Sequence, residues 1–153
     1  MFTIMIEKII SGGQTGADIA GLKFVRDNGI PTGGSAPKDF MTEAGSKPEL
    51  RDLYNLRELN GSYEDRTIQN VMDADGTVIF AEKMTDGSRL TLDTCIKEKK
   101  PHLLNPTTEE FLTWISDNGI RVLNIAGNRE SVAPGIEQRV YNFLHKALGH
   151  IGD

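Results

Sequence analysis

The stretch "IISGGQTGADIAGLKF", from Ile9 to Phe24, decides the fold. An apolar run ends at Ser11, Gly12, Gly13 and Gly16 follow, and Ala17, Ala20, Gly21 and Phe24 then recur at helical spacing. A helix face built from such small residues can lie close to a sheet. Strand, glycine turn and helix in that order open a βαβ unit. We read "IEKIIS" as the first strand and Thr15 to Asn28 as the first helix, which stops at "DNGI", where Gly29 can take the left-handed cap conformation.

The same alternation continues along the chain. "DNGI" recurs at Asp117 to Ile120 as a second helix-to-strand junction. A helix is expected from near Ser62 to near Ala74, a strand at "GTVIFA", and a helix after "TDGS". A short strand follows at "PHLLN", and Thr107 with Glu110 forms a capping box for the next helix. "RVLNIAG" is the last strand, and a final helix starts at Pro134 and buries Ile136, Val140, Phe143, Leu144 and Ala147. The expectation is a single Rossmann-like α/β domain over residues 1–153, a doubly wound, mainly parallel sheet of about five strands with helices on both faces. Only Ala36 to Leu50 lacks a clear element, and a loop of that length is usually functional or mobile.

Composition narrows the function classes. The formal net charge of -5 lacks the Lys/Arg excess that counterion-release binding to nucleic acid requires. Cys95 is the single cysteine, so one chain can build neither a disulfide framework nor a thiolate metal site, and a reducing cytoplasm fits. No apolar run approaches the ~20 residues of a membrane span, and "MFTIMIEKIIS" is interrupted by Glu7 and Lys8. His102, His145 and His150 are scattered without Glu or Cys at ligand spacing, so no protein-bound metal is expected.

Glycines between a strand and a helix let backbone N–H groups and the positive helix end approach an anion, most often a phosphate. A Walker A loop would need a lysine after Gly16, where Ala17 and Asp18 stand. A dinucleotide fingerprint would want an acid after the second strand, where Ser35 stands. The plainer alternative is a turn that merely joins a strand to a tightly packed helix. On the anion reading, Gly13→Val would fill the space over the helix end and abolish anion binding while leaving the fold largely intact.

Three more loops share this character: "PTGGSAPK", "TDGS" and "AGNRESVAPG". On the carboxyl edge of a parallel sheet they would gather around one ligand. The candidate binding residues are Gly12, Gly13, Gln14, Thr15 and Gly16, then Gly34, Ser35 and Lys38, then Thr85, Gly87, Ser88 and Thr91, and lastly Gly127, Arg129, Glu130 and Ser131. Arg66, Thr67 and Asn70 share a helix face that can meet either the ligand or a neighbouring subunit. Cys95 reads as a small hydrophobe in a helix and "KEKK" as a solvated helix end.

Taken in order, "SGGQTGAD", "GIP-x-GG-x-x-PK", "RT-x-x-NV-x-x-x-DGT-x-IF", "T-x-G-[ST]-x-x-T" and "LN-x-AG-x-RES-x-x-PGI" resemble the motif set of the molybdenum-cofactor carrier family. That family lies within the Rossmann-like superfamily that includes the cytokinin-activating phosphoribohydrolases. The resemblance spans Ser11 to Ile136. It implies a cytoplasmic homodimer or homotetramer that binds a phosphorylated small molecule, either molybdenum cofactor or a nucleotide, with a molybdoenzyme as a receiving partner. The phosphoribohydrolases carry P-G-G-x-G-T-x-x-E, and alignment on Thr91 places Thr94 at their catalytic glutamate, with Asp93 one residue earlier. The expected activity is therefore a non-catalytic carrier or sensor. The alternatives are a phosphoribohydrolase of nucleoside monophosphates, in which Asp93 would serve, and an ADP-ribose or NAD-sensing module.

Overall fold

The structure, a computed structural model, describes residues 4–149. His150 lies outside them. In chain order the elements are β1 (Lys8–Ile10), α1 (Ala17–Asp27), β2 (Thr32–Gly33), β3 (Ser35–Ala36), β4 (Met41–Thr42), β5 (Gly45–Ser46), α2 (Glu49–Tyr54) and β6 (Arg57–Glu58). The second half holds α3 (Tyr63–Asp73), β7 (Gly76–Phe80), α4 (Asp86–Lys97), β8 (His102–Leu104), α5 (Thr108–Asn118), β9 (Val122–Gly127) and α6 (Ile136–Leu148).

Five strands form one sheet in the order β2-β1-β9-β7-β8, and all its pairings are parallel. This is the expected Rossmann-like α/β fold. β9, last in the chain, is inserted between β1 and β7, with Ile9 opposite Leu123 and Thr77 opposite Asn124. Helices α1, α5 and α6 pack together on one face, and α3 and α4 on the other. Adjacent strands β9 and β7 therefore send their chains to opposite faces, so a crevice opens where they diverge, at their carboxyl ends.

The main core lies under α1, α5 and α6, where Phe24, Phe111, Ile125 and Leu144 are fully buried. Local signals fix the helix ends. Thr107 and Glu110 form the expected capping box, and Ser62 with Asp65 forms a second one. Gly29 and Gly119 both take positive φ at the two "DNGI" junctions. α6 starts at Ile136 with Gly135 as its N-cap, so Pro134 precedes the helix instead of opening it.

The segment 36–50 is not a featureless loop. It carries a 3-10 turn, the antiparallel hairpin β4–β5 and the start of α2. Phe40, Leu50, Tyr54 and Leu56 bury themselves with Leu22 of α1 and Ala36 in a second, smaller core. Strands of two residues and a helix of six are too short to set up a readable hydrophobic period, which is why the sequence hides them.

Candidate functional site

The crevice between β9 and β7 is a cleft of about 400 Å³. Ala126 and Gly127 form its floor, the first turn of α4 with Thr91 forms one wall, and Gln14, Asp18, Arg66 and Thr67 form the other. Arg129, Ser131 and Val132, from the loop after β9, close the top. An outer recess of about 560 Å³ shares Arg66, Thr67, Gly87 and Arg129 and adds Tyr63, Arg89 and Asp93. Such volumes suit a mononucleotide-sized guest.

Gly12, Gly13 and Gly16 each turn the direction a side chain would take toward protein. A Cβ on Gly12 would stand 1.6 Å from Arg66 Nη1. On Gly13, whose φ is +77°, it would meet Leu50 Cδ1 at 2.7 Å, and on Gly16, at φ +84°, the Asn128 carbonyl at 2.3 Å. The α1 end is partly closed as well, because Ala17 N donates to the Asn128 carbonyl at 3.1 Å. These glycines admit a guanidinium, a leucine and a neighbouring loop. The space over Gly13 belongs to the smaller core, so Gly13→Val would collide there in a strained conformation, and the expectation that it leaves the fold intact is corrected.

The α4 end is built differently. Thr85 caps the helix by accepting from Ser88 N at 3.2 Å, while a Cβ on Gly87 would find only Thr85 Oγ1, at 3.9 Å. Gly87 therefore leaves open space at the positive end of a twelve-residue helix. Thr85 and Asn128 both donate to Ser88 Oγ, which leaves the Ser88 proton to point elsewhere. Asn128 is the joint of the site: its amide also accepts from Glu82 N and Lys83 N and donates to the Lys83 carbonyl, tying the loop after β9 to the loop after β7.

Charge in the cleft is organised around Asp18. Arg66 Nη1 donates to Asp18 Oδ2 at 2.9 Å, both side chains being nearly buried, and Gln14 N donates to the same oxygen at 3.2 Å. Burial pushes the Asp18 carboxyl above its ordinary range, while Arg66 and the N–H groups of Gln14 and Gly12 pull it back. Arg129 makes no salt bridge within 4 Å among the described residues, and its guanidinium carbon lies 5.9 Å from the Tyr63 ring centroid. Arg66 lies 5.8 Å from the same ring.

Gln14 is 5% exposed, and its carboxamide orientation is set by its partners. Oε1 accepts from Thr15 N at 3.0 Å and from Glu43 N at 2.9 Å. Nε2, the remaining donor, is buried without a hydrogen-bond partner. Arg66 Nε, on the same wall, is likewise buried without a partner, and leaving such a donor unpaired costs about 1–3 kcal/mol.

The predicted residues divide accordingly. Gln14, Thr85, Gly87, Ser88, Thr91, Gly127, Arg129 and Ser131 line the cleft. Gly34, Ser35 and Lys38 are not brought to it: Ser35 is buried and bracketed by the Asn70 amide, Gly34 borders a separate recess, and Lys38 is exposed. Thr15 lies just outside, donating to Glu43. Glu130 caps α6, accepting from Gly135 N and Glu137 N. Of the α3 face, Arg66 pairs with Asp18, Asn70 brackets Ser35 and Thr67 lines the cleft. Thr94 donates its hydroxyl to the Leu90 carbonyl at 2.7 Å, and Asp93 is exposed in the outer recess. Cys95 is buried, which pushes its thiol up. The reading of the sequence missed Asp18, Asn128 and Glu43. Asn128 and Glu43 work through partners far along the chain, and the charge partner of Asp18, Arg66, lies 48 residues on. Among the described residues no group of three or more His, Cys, Asp or Glu is placed to hold a metal ion, and no helix is long and apolar enough to cross a membrane.

No curated protein matches the chain. A solved structure does: the 1.45 Å crystal structure described as "Putative molybdenum carrier protein" from Syntrophus aciditrophicus SB is 39% identical. The match covers 95% of this chain and 96% of that one, with a TM-score of 0.90. Residues 9–148, from the first sheet strand to the end of α6, match the circularly permutated YpsA SLOG family. The chain belongs to that family.

Proposed function

We propose that this protein is a non-catalytic carrier or binding protein, and that its cleft takes a phosphorylated heterocycle. Molybdenum cofactor is the cargo, with a nucleotide as the alternative of the same chemistry. The observation that carries this reading is the open space at Gly87 on the positive end of α4, in a cleft that Arg129 also lines. A phosphate fits the Gly87–Ser88 turn, where backbone N–H groups and the helix dipole favour an anion. Tyr63 in the outer recess offers a ring face to the heterocycle. The likeness to the Syntrophus protein supports a carrier role. The metal of such a cargo would be held by the cofactor itself.

Two observations support the absence of hydrolysis. Thr94 has no carboxyl and uses its hydroxyl on its own helix, and Asp93 lies outside the cleft in the open recess. The phosphoribohydrolase route needs a carboxyl group at the helix position that Thr94 occupies, worth roughly 10²–10⁴-fold in acid–base catalysis alone; of the carboxyls that do line the cleft, Asp18 is paired with Arg66 and Asp86 stands in the first turn of α4. Ile68 and Met72 on α3 and Ile96 on α4 are exposed apolar side chains, which supports pairing of two chains through that surface in a cytoplasmic homo-oligomer. Transfer of the cargo to a molybdoenzyme completes the reading.

The test is mass spectrometry of the small molecule released from gently purified protein, paired with an assay of base release from nucleoside monophosphates. A phosphorylated pterin or nucleotide without base release is the expected result. Robust base release by wild type that disappears in Asp93→Asn would establish the hydrolase instead.

A further inference from the structure

The hairpin β4–β5 reaches the cleft through one side chain. Glu43, at its turn, sets its carboxylate among donors from two other loops: the Thr15 hydroxyl, Ser131 N at 3.2 Å and the Ser131 hydroxyl. Arg129 adds its charge nearby. A backbone N–H and two hydroxyls on one carboxylate, with the charge of Arg129 farther off, are the donor set that a phosphate would draw on. Ser131 and Arg129 also line the cleft, so this seat opens onto the space assigned to the ligand.

We propose that the Thr15–Ser131 seat is a second anion subsite of the cleft, and that Glu43 is its built-in occupant, displaced when a ligand brings a second anionic group. The proposal rests on the ligand reading above and narrows it: a guest with one phosphate uses the α4 end and leaves Glu43 seated, whereas a guest with anionic groups at both ends evicts it. Gln14 links the two events. Its Oε1 holds Glu43 N while the residue itself lines the cleft, so the hairpin and that wall of the cleft share one side chain. The hairpin is lightly held for such a move. Its ladder pairs only two residues on each side, and Asp39 and Phe40, just before it, have φ of 61° and 53°. Few residues other than glycine adopt that conformation without cost.

The probe is inorganic phosphate at constant ionic strength, titrated into Gly87→Glu protein, in which a carboxylate closes the α4 end and leaves only the seat to report. Calorimetry gives the affinity, and amide hydrogen exchange over residues 40–47 follows the hairpin. Adding Glu43→Gln keeps an acceptor for Ser131 but removes the competing charge, so phosphate should bind roughly tenfold tighter, a difference well within calorimetric range. With Glu43 present, phosphate should speed exchange in the hairpin. Equal affinities with and without Glu43→Gln, no phosphate binding to either protein, or a hairpin that phosphate slows or leaves unchanged would overturn the proposal. The reading of the α4 end fails separately, if Gly87→Glu itself retains the purified ligand.

Discussion

Arg66 occupies the place that a side chain on Gly12 would need: its Nη1 lies 1.6 Å from the position of a Cβ there. The guanidinium crosses the glycine to reach Asp18, 48 residues away in sequence. The first glycine of the turn thus makes room for an ion pair that joins α3 to the start of α1.

Gly12→Ala should therefore act like removal of Arg66. Pushing the guanidinium aside leaves Asp18 buried and uncompensated, a loss of about 3 kcal/mol for a broken buried pair. Urea unfolding should give similar losses for Gly12→Ala and Arg66→Met. The double variant Arg66→Met/Asp18→Asn should recover part of the loss, since no charge then remains to be buried. Equal stability of Gly12→Ala and wild type would contradict this geometry.

Asn128→Ala should weaken both the fold and the site. Without the carboxamide, Glu82 N, Lys83 N and the Lys83 carbonyl lose their partner, and Ser88 loses a donor. About 2 kcal/mol of stability should go with them, together with most of the affinity for a phosphorylated ligand. Asn128→Asp, which keeps the acceptor but not the donor, should fall between. A stable Asn128→Ala protein with unchanged affinity would show that the two loops are held some other way.

Much of this fold was legible locally. Strand and helix alternation, the Thr107–Glu110 box and the Gly87–Ser88 turn each sit within a few residues, and periodicity or cap chemistry exposes them. The polar framework was not, because it is built across the chain. Three asparagines carry it: Asn70 brackets Ser35, Asn105 brackets Ala81 and Asn128 brackets Lys83, each amide offering both a donor and an acceptor to backbone. In sequence Asn105 and Asn128, each after a strand, read as turn residues and Asn70 as one position on a helix face, and only the fold brings each to its partner. The glycines misled for a related reason: a stretch without side chains says that something comes close, but not whether it is a phosphate or an arginine.

The Glu43 contact should depend on pH. Burial is the largest single influence and opposes ionisation, but the hydrogen bonds from Ser131 and Thr15 and the charge of Arg129 together outweigh it and hold the carboxyl below the usual range. The folded value thus lies under the unfolded one, so the contact is at full strength above the ordinary carboxylate range and is lost as pH falls through the depressed value. Hydrogen exchange over residues 40–47, corrected for intrinsic rates, should show the hairpin protected at neutral pH and released only below the ordinary carboxylate range. In Glu43→Gln that pH dependence should be absent; its persistence would assign the effect to another group.

The central claim, that the cleft beside α4 binds a phosphorylated heterocycle, is tested most directly by native mass spectrometry of wild type beside Gly87→Glu. The added side chain enters open space in the first turn of α4, where a carboxylate also favours the helix, so the variant should fold with unchanged thermal stability. Wild type should carry a phosphorylated small molecule and folded Gly87→Glu none. Equal occupancy of the two proteins would contradict the account.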